Sequence, residues 1–333
     1  MNFLRPGFQT ICLLIFVFMS TPSLSVESQG HRGARGLLPE NTLHGFAEAL
    51  KIGVHMLELD VVLTADDRVV VTHNPQIAPE IAKSADGDWL AEPGPVVRAI
   101  TLEEVQSYDV GGINPGSRYA GRFPDQESRP GSRMPTLEQV IELVKKSGSQ
   151  NVRLNIETKL APDGPKPAPT PEHFANVLVD LLRNNDFIDR SVVQSFHWAV
   201  LKEVQSLEPN LITAYLTVEQ RWMNNIQRNE AGTSSWTADH DIDEYEGQVP
   251  ALIKAAGGDV WSSYYKEVSE ESLNLAHQLG LRVSVWTVNE TDDMERLIKM
   301  GVDQIITDYP DRLVEVMKKL ELPLPTSYEV SVE

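Results

Sequence analysis

The sequence predicts a (β/α)8 TIM barrel with a small cap insertion and an antiparallel hairpin strand after the second barrel strand. Short apolar runs alternate with amphipathic helical runs along nearly the whole chain, which requires a parallel sheet with helical crossovers. Eight such strands can be counted. The length of 333 residues accommodates a barrel of about 250 residues as one unit, with additions.

The first strand, residues 28–31, is placed by its position before a charged motif more than by its hydrophobicity. Asn41 reads as the cap of a helix over 42–52, with Leu43, Phe46, Ala47 and Leu50 on one face and Gly53 as its stop. Residues 56–63 form the second strand. A helix over 137–147 is opened by Thr136 and closed by Gly148. Strands follow at 152–157, 191–194, 212–216, 260–262, 282–287 and 304–307, with helices at 172–184, 198–207, 269–279, 291–300 and 310–320. The polar stretch 221–247 is left unassigned.

Residues 69–73 follow the second strand after only Ala65-Asp66-Asp67-Arg68. A parallel neighbour needs a crossover of about a dozen residues, so this segment must return as a hairpin outside the count of eight. The stretch 64–134, rich in Gly and Pro, reads as a small cap inserted after the second strand. The expected organisation is a signal peptide over 1–25, a barrel with its cap over 26–320, and a tail over 321–333.

The leader has a positive Arg5, an apolar run over 11–19, and small Ser23 and Ser25 placed for cleavage. Its apolar run is shorter than the roughly 20 residues of a full span, so no stable membrane span is expected after cleavage. The chain would then be exported, to the periplasm or beyond. Its only cysteine, Cys12, lies in that run, so the mature chain can form no disulfide. Removing Arg5 takes the formal net charge from −19 to −20. That acidity argues against nucleic acid or an anionic membrane as the main partner, although a metal site can reverse the field locally. Oligomeric state is not readable.

Polar residues crowd the first quarter of the chain: His31-Arg32-Gly33, Pro39-Glu40-Asn41-Thr42, Glu58-Leu59-Asp60 and His73-Asn74-Pro75. Strand alternation puts Glu58 and Asp60 on the inner face and Leu57, Leu59 and Val61 on the outer. Inward carboxylates need a cation or basic partners, so the pair is either a metal site or a set of salt-bridged structural acids. Glu157, on the face shared with Arg153 and Asn155, would add a third oxygen ligand. Lys159 follows with the same parity and can touch phosphate.

The hairpin returns His73 beside Glu58, and His31 ends the neighbouring strand, so both imidazoles can flank the acids. Cleaving a phosphodiester needs one group to take a proton and another to give one, which two imidazoles near neutral pH can do. Arg32 can grip phosphate with two prongs, and Arg35 is either a second contact or an ordinary exposed loop arginine. Glu40 either touches a metal or braces His31 or Arg32. Trp286 is either core or an apolar wall of the site, and the role of Asp308, after the last strand, stays open.

Together these residues closely resemble the glycerophosphodiester phosphodiesterase family over about residues 29–320. The shared motifs extend to Pro135-Thr136-Leu137-Glu138, Glu157-Thr158-Lys159, Trp286-Thr287 and Thr307-Asp308-Tyr309-Pro310. The resemblance implies a metal-dependent enzyme that splits glycerophosphodiesters, such as glycerophosphocholine, into an alcohol and glycerol 3-phosphate. It implies His31 and His73 as the acid–base pair, Glu58, Asp60 and Glu157 as metal ligands, and Arg32 and Lys159 on the phosphate. The glycerol 2-hydroxyl would attack phosphorus and water would open the cyclic product. The metal is expected to be Ca2+ in preference to Mg2+, from the oxygen ligands and exported location. Where the family usually has Asp after the second histidine, this chain has Asn74. Two other readings are an enzyme for lysophospholipid-like diesters, with the cap setting specificity, and a non-catalytic binding protein on the same barrel.

Overall fold

The computed structural model describes Met1 and residues 25–332. The leader expected over 1–25 lies, apart from its ends, outside the described residues. The described residues form eleven strands: β1 (Glu27–Gly30), β2 (Met56–Leu63), β3 (Val69–Val71), β4 (Arg153–Thr158), β5 (Ser191–Ser195), β6 (Ile212–Thr217), β7 (Glu219–Gln220), β8 (Met223–Asn224), β9 (Val260–Tyr264), β10 (Arg282–Trp286) and β11 (Gln304–Thr307). Eight of them pair in parallel in the order β1-β2-β4-β5-β6-β9-β10-β11, and β11 pairs back on β1 to close the barrel. β3 pairs antiparallel with β2, Val61 opposite Val71, as the short connection requires.

The nine helices of the described residues are α1 (Leu43–Ile52), α2 (Leu102–Val105), α3 (Leu137–Lys146), α4 (Pro171–Asn184), α5 (Trp198–Leu207), α6 (Val249–Ala255), α7 (Glu270–Gln278), α8 (Thr291–Met300) and α9 (Pro310–Lys319). Every barrel strand is followed by one of them, with α2 left over in the insertion. No helix among the described residues is long and apolar enough to cross a membrane.

Two expectations are corrected. The cap of α1 is Thr42, whose side chain accepts from the Gly45 N–H, and Asn41 is turned inward instead. The segment 221–247 contains the short strand β8 and a 3-10 turn over Ile242–Tyr245, and α6 follows it; it carries no repeating apolar pattern to announce them.

The outer faces of the barrel strands make the main core. Leu57, Leu59 and Val61 are fully buried against helices that include α1 and α3, each contributing about 1.5–3 kcal/mol. The β2–β3 hairpin has two buried faces, because Val62 and Val70 point the other way. They seat a second apolar cluster formed with Ile77, Ala82, Val97, Val105, Val110 and Met134 from the insertion. The barrel interior is polar apart from a small buried apolar cluster of Met56, Val192, Ala214 and Val260. Glu27 at its lower end bonds Arg153 at 2.6 Å and Arg282 at 2.7 Å, and above it Gln29 links Gln304 to Asn155 through 2.8 Å bonds. After α9 the chain runs back along α1, where the Tyr328 N–H donates to the Leu50 carbonyl at 2.8 Å.

Candidate active site

At the end of β1 the chain turns sharply against α1. Gly33, with φ of 90°, permits this: a Cβ there would lie 2.6 Å from the Gly45 carbonyl carbon. The turn sets the Arg32 N–H on Glu58 Oε2 at 2.9 Å and His31 Nε2 3.8 Å from the same oxygen.

Register assembles the acids. Asp60 on β2 lies opposite Glu157 on β4, and Glu157 opposite Gln194 on β5. One ligand oxygen each from Glu58, Asp60 and Glu157 lie within 4.8 Å of one another. Asp60 is the hub, with Arg32 Nε at 3.2 Å, Asn41 Nδ2 at 2.9 Å and Lys159 Nζ at 3.6 Å. Lys159 also bonds Glu157 at 2.6 Å, and Gln194 donates to Glu58 Oε1 at 2.8 Å. Arg32 Nη1 donates to Glu40 at 2.8 Å, so Glu40 braces Arg32.

These charges sort the acids. Burial pushes the Glu58 carboxyl well above its usual range, and Asp60 and Glu157 push it further. Burial raises Glu157 as well, against the opposing pull of Lys159. Burial would also raise Asp60, but Arg32 and Lys159 outweigh it and hold Asp60 ionised. Four carboxylates, with Glu40, face only two cationic side chains, Arg32 and Lys159. With all four ionised, two negative charges would lack a partner, which is why burial raises Glu58 and Glu157; that shortfall and the all-oxygen donor set fit a divalent hard cation. Asp60 Oδ1, buried without a hydrogen-bond partner, supports the same fit.

The histidines are held differently. His31 Nδ1 lies 2.7 Å from Asp308 Oδ1, and Asp308 is gripped by Arg35 at 2.7 and 3.0 Å and by Asn289 at 2.7 Å. His73 Nδ1 lies 2.6 Å from the Asn74 side-chain oxygen, so an amide stands where His31 has a carboxylate. Burial, reinforced by Arg35, brings His31 down to about 4 despite Asp308. Burial, with Arg32 and Lys159, keeps His73 well below the ordinary range. Both imidazoles are neutral at pH 7.

All the residues expected at the site line one cavity of about 1040 Å3, except Asp60, which lies beneath Arg32 and Lys159. Trp286 is wall, not core: its indole N–H donates to the Ser262 carbonyl at 3.2 Å and its ring faces the cavity. Arg35, which could have been an exposed loop arginine, is buried, lines the cavity and clamps Asp308. Sequence reasoning missed Gln194, Asn289, Tyr119 and the aromatic residues Phe196, Trp222 and Trp236. Gln194 follows the inward parity of its strand, a signal that was readable. Tyr119 comes from the cap: its hydroxyl donates to Glu40 and accepts from Arg35 Nη1 at 3.2 Å. Nothing in its local sequence distinguishes it.

The glycerophosphoryl diester phosphodiesterase family model matches residues 31–312. A glycerophosphodiester phosphodiesterase of Caldanaerobacter subterraneus subsp. tengcongensis is 29% identical over 292 residues, 87% of this chain and 96% of its own. A Bacillus subtilis glycerophosphodiester phosphodiesterase is 28% identical over 92% of this chain and 96% of its own. Among solved structures, one of this family from Silicibacter pomeroyi DSS-3 matches with 35% identity and a TM-score of 0.79, covering 90% of this chain and 95% of that one. An Oleispira antarctica phosphodiesterase, solved in complex with the product sn-glycerol-3-phosphate, shares the fold at 19% identity and a TM-score of 0.63, covering 89% of this chain and 98% of that one. With the family's model spanning most of the barrel and the site, the chain belongs to the glycerophosphoryl diester phosphodiesterase family and is a phosphoric diester hydrolase.

Proposed function

We propose that the chain hydrolyses glycerophosphodiesters, glycerophosphocholine among them, to an alcohol and sn-glycerol 3-phosphate, with His31 and His73 as proton carriers and a divalent cation assisting. The observation that carries this reading is the convergence of two neutral imidazoles, two cationic side chains and the carboxyls of Glu58 and Glu157 on one cavity, with Asp60 directly beneath them. Glu58, Asp60 and Glu157 would hold the cation, which when bound neutralises phosphate charge and polarises its oxygens. Arg32 and Lys159 would hold the phosphate oxygens, and Trp286 would flank the substrate.

One histidine accepts the proton of the glycerol 2-hydroxyl as that oxygen attacks phosphorus. The other gives a proton to the departing alcohol oxygen. The resulting cyclic phosphate is opened by water with the two roles reversed, which restores both imidazoles. Two neutral imidazoles begin this sequence one proton short, so one must be recharged once substrate phosphate enters. An added negative charge favours that protonation.

Ca2+ is the proposed metal over Mg2+, and export to the periplasm or beyond the proposed location, resting on the leader and the oxygen ligands. The test is release of glycerol 3-phosphate from glycerophosphocholine, with metal added and with chelator. Turnover that is unchanged by chelator would refute the cation's part, and equal turnover after His31→Ala the acid–base part. Mass spectrometry of the exported chain, checking for loss of residues 1–25, tests the location. A lysophospholipid-like diester is the second reading, favoured by the aromatic side of the cavity and its volume.

A further inference from the structure

The cavity has two unlike walls. The cap contributes a polar wall, with Ser117, Arg118, Tyr119 and Arg122. The barrel loops contribute an aromatic one. The stretch with no regular sequence pattern begins it: β7 and β8 pair, Glu219 opposite Asn224, and put Trp222 in the turn between them. That hairpin is anchored. Gln220 donates to Glu267 at 2.7 Å, the Glu219 N–H donates to the same carboxylate at 3.0 Å, and Arg228 bonds the Glu219 side chain at 2.8 Å.

Held there, Trp222 is 62% exposed while lining the cavity. An indole left that open loses the free energy of burial, so a ligand that covers it is the natural complement. Its ring meets Tyr264 edge-on at 5.9 Å and 87°, and Trp286 at 6.4 Å and 76°. Phe196 stands edge-on to Trp286 at 5.4 Å and 88°. Edge contacts leave ring faces available to a further group.

We propose that Trp222, Trp286 and Phe196 form the subsite for the alcohol half of the diester, and that it selects a quaternary ammonium group. This rests on the phosphodiesterase reading above. Three observations favour that chemistry. First, the acids that line the cavity are engaged elsewhere: Glu40 with Arg32, Glu58 with Gln194, Glu157 with Lys159, and Glu80 comes from the insertion, not from the aromatic loops. A primary ammonium on the aromatic wall would give up hydration and find no carboxylate there, whereas a trimethylammonium has no N–H to satisfy and is attracted by ring faces. Second, the Trp286 N–H is already used by Ser262 and Phe196 has no polar atom, so of the three rings only the Trp222 indole can hydrogen-bond a polyol. Third, the arginines of the cap wall repel a cation toward the aromatic side, and the net charge of −19 draws cations to the molecule as a whole.

The test compares glycerophosphocholine, glycerophosphoethanolamine and glycerophosphoglycerol on the full metal-supplemented enzyme, wild type and Trp222→Ala, reading glycerol 3-phosphate. The wild type is expected to favour the choline diester over the ethanolamine diester by about tenfold in kcat/KM. Trp222→Ala should reduce kcat/KM for the choline diester about tenfold more than for the glycerol diester, chiefly through KM, and Trp222→Phe should restore most of the difference. Quenching of tryptophan fluorescence by tetramethylammonium, but not by ammonium, should be present in the wild type and lost in Trp222→Ala. Equal use of the choline and ethanolamine diesters, or an equal loss on all three substrates, overturns the subsite. Faster turnover of lysophosphatidylcholine that Trp222→Ala abolishes, without quenching by tetramethylammonium, assigns the wall to an acyl chain and also overturns it. Failure to turn over any of the diesters refutes the phosphodiesterase reading, while the fluorescence result still decides the wall.

Discussion

The floor of the cavity and its mouth are built on opposite principles. On the floor, Glu58, Asp60, Arg32 and Asp308 are buried, and each charge is fixed by at least one partner. At the mouth, Trp222, Arg118 and Arg122 are exposed, and the loops that carry them come from the insertion and from the irregular stretch after β6. The contrast separates two kinds of work. Strand ends in a barrel hold groups to fixed geometry and can orient reacting atoms, whereas loops can change without disturbing the core and so set selectivity. Tyr119 is the exception. It belongs to the cap, yet its hydroxyl joins the Glu40–Arg32 pair to the Arg35–Asp308–His31 chain.

The sharpest break would come at the histidines. His31→Ala and His73→Ala should each lower kcat by about 10²–10⁴-fold without unfolding the chain, as measured by steady-state rates beside circular dichroism. A loss under threefold at either would remove that residue from the chemistry. Next in size is Arg35→Ala, which leaves the Asp308 carboxylate buried without its main partner. Breaking a buried pair costs about 3–5 kcal/mol, readable as a lower urea midpoint. A change under about 1 kcal/mol would mean that the floor is less tightly coupled than its distances indicate.

The pH dependence of stability offers a third probe. His31 is held near 4 in the folded chain against 6.5 unfolded. Between those values the unfolded chain binds a proton that the folded chain refuses, so stability falls as pH drops through this window and is complete above it. The loss approaches about 3 kcal/mol, with His73 acting in the same direction. Glu58 and Glu157, raised by burial, act in the opposite direction over the same window, so the readout is the difference in melting temperature between wild type and His31→Asn in metal-free protein, which should shift against the wild type as pH falls from 7 to 5. A difference that does not change with pH would contradict the burial argument.

The smallest expected effect is Tyr119→Phe. It removes one hydroxyl bonded to charged groups, worth about 1.5–3 kcal/mol. Because the bond links mouth to floor, kcat/KM should fall about tenfold with little loss of barrel stability. A loss in melting temperature with unchanged kinetics would make Tyr119 a structural pin of the cap alone.

Much of the floor is legible in the amino-acid sequence. The parity of Glu58 and Asp60, the inward place of Glu157 and the hairpin return of His73 all follow from the two-residue repeat of a strand and the length of one connection. Asn41 shows the limit of such reading. As a residue type it suits a helix cap, and Thr42 beside it suits one equally. Only the proximity of Asp60, which Asn41 meets at 2.9 Å, decides between them. Arg35 is similar: on a loop it reads as free for phosphate, but Asp308, 273 positions away, claims it.

Local sequence is enough to specify the eight barrel strands, all but one of the helices between them, and the parity of the acids, because periodicity and alternation are properties of neighbouring residues. Tertiary folding settles which groups brace which, that Trp286 is wall and not core, and that a tyrosine of the cap and a tryptophan of an irregular loop reach the same cavity. Those facts depend on closing β11 against β1 and on folding the insertion over the barrel end. Contacts between residues so far apart in the chain leave no mark on the local sequence around either partner.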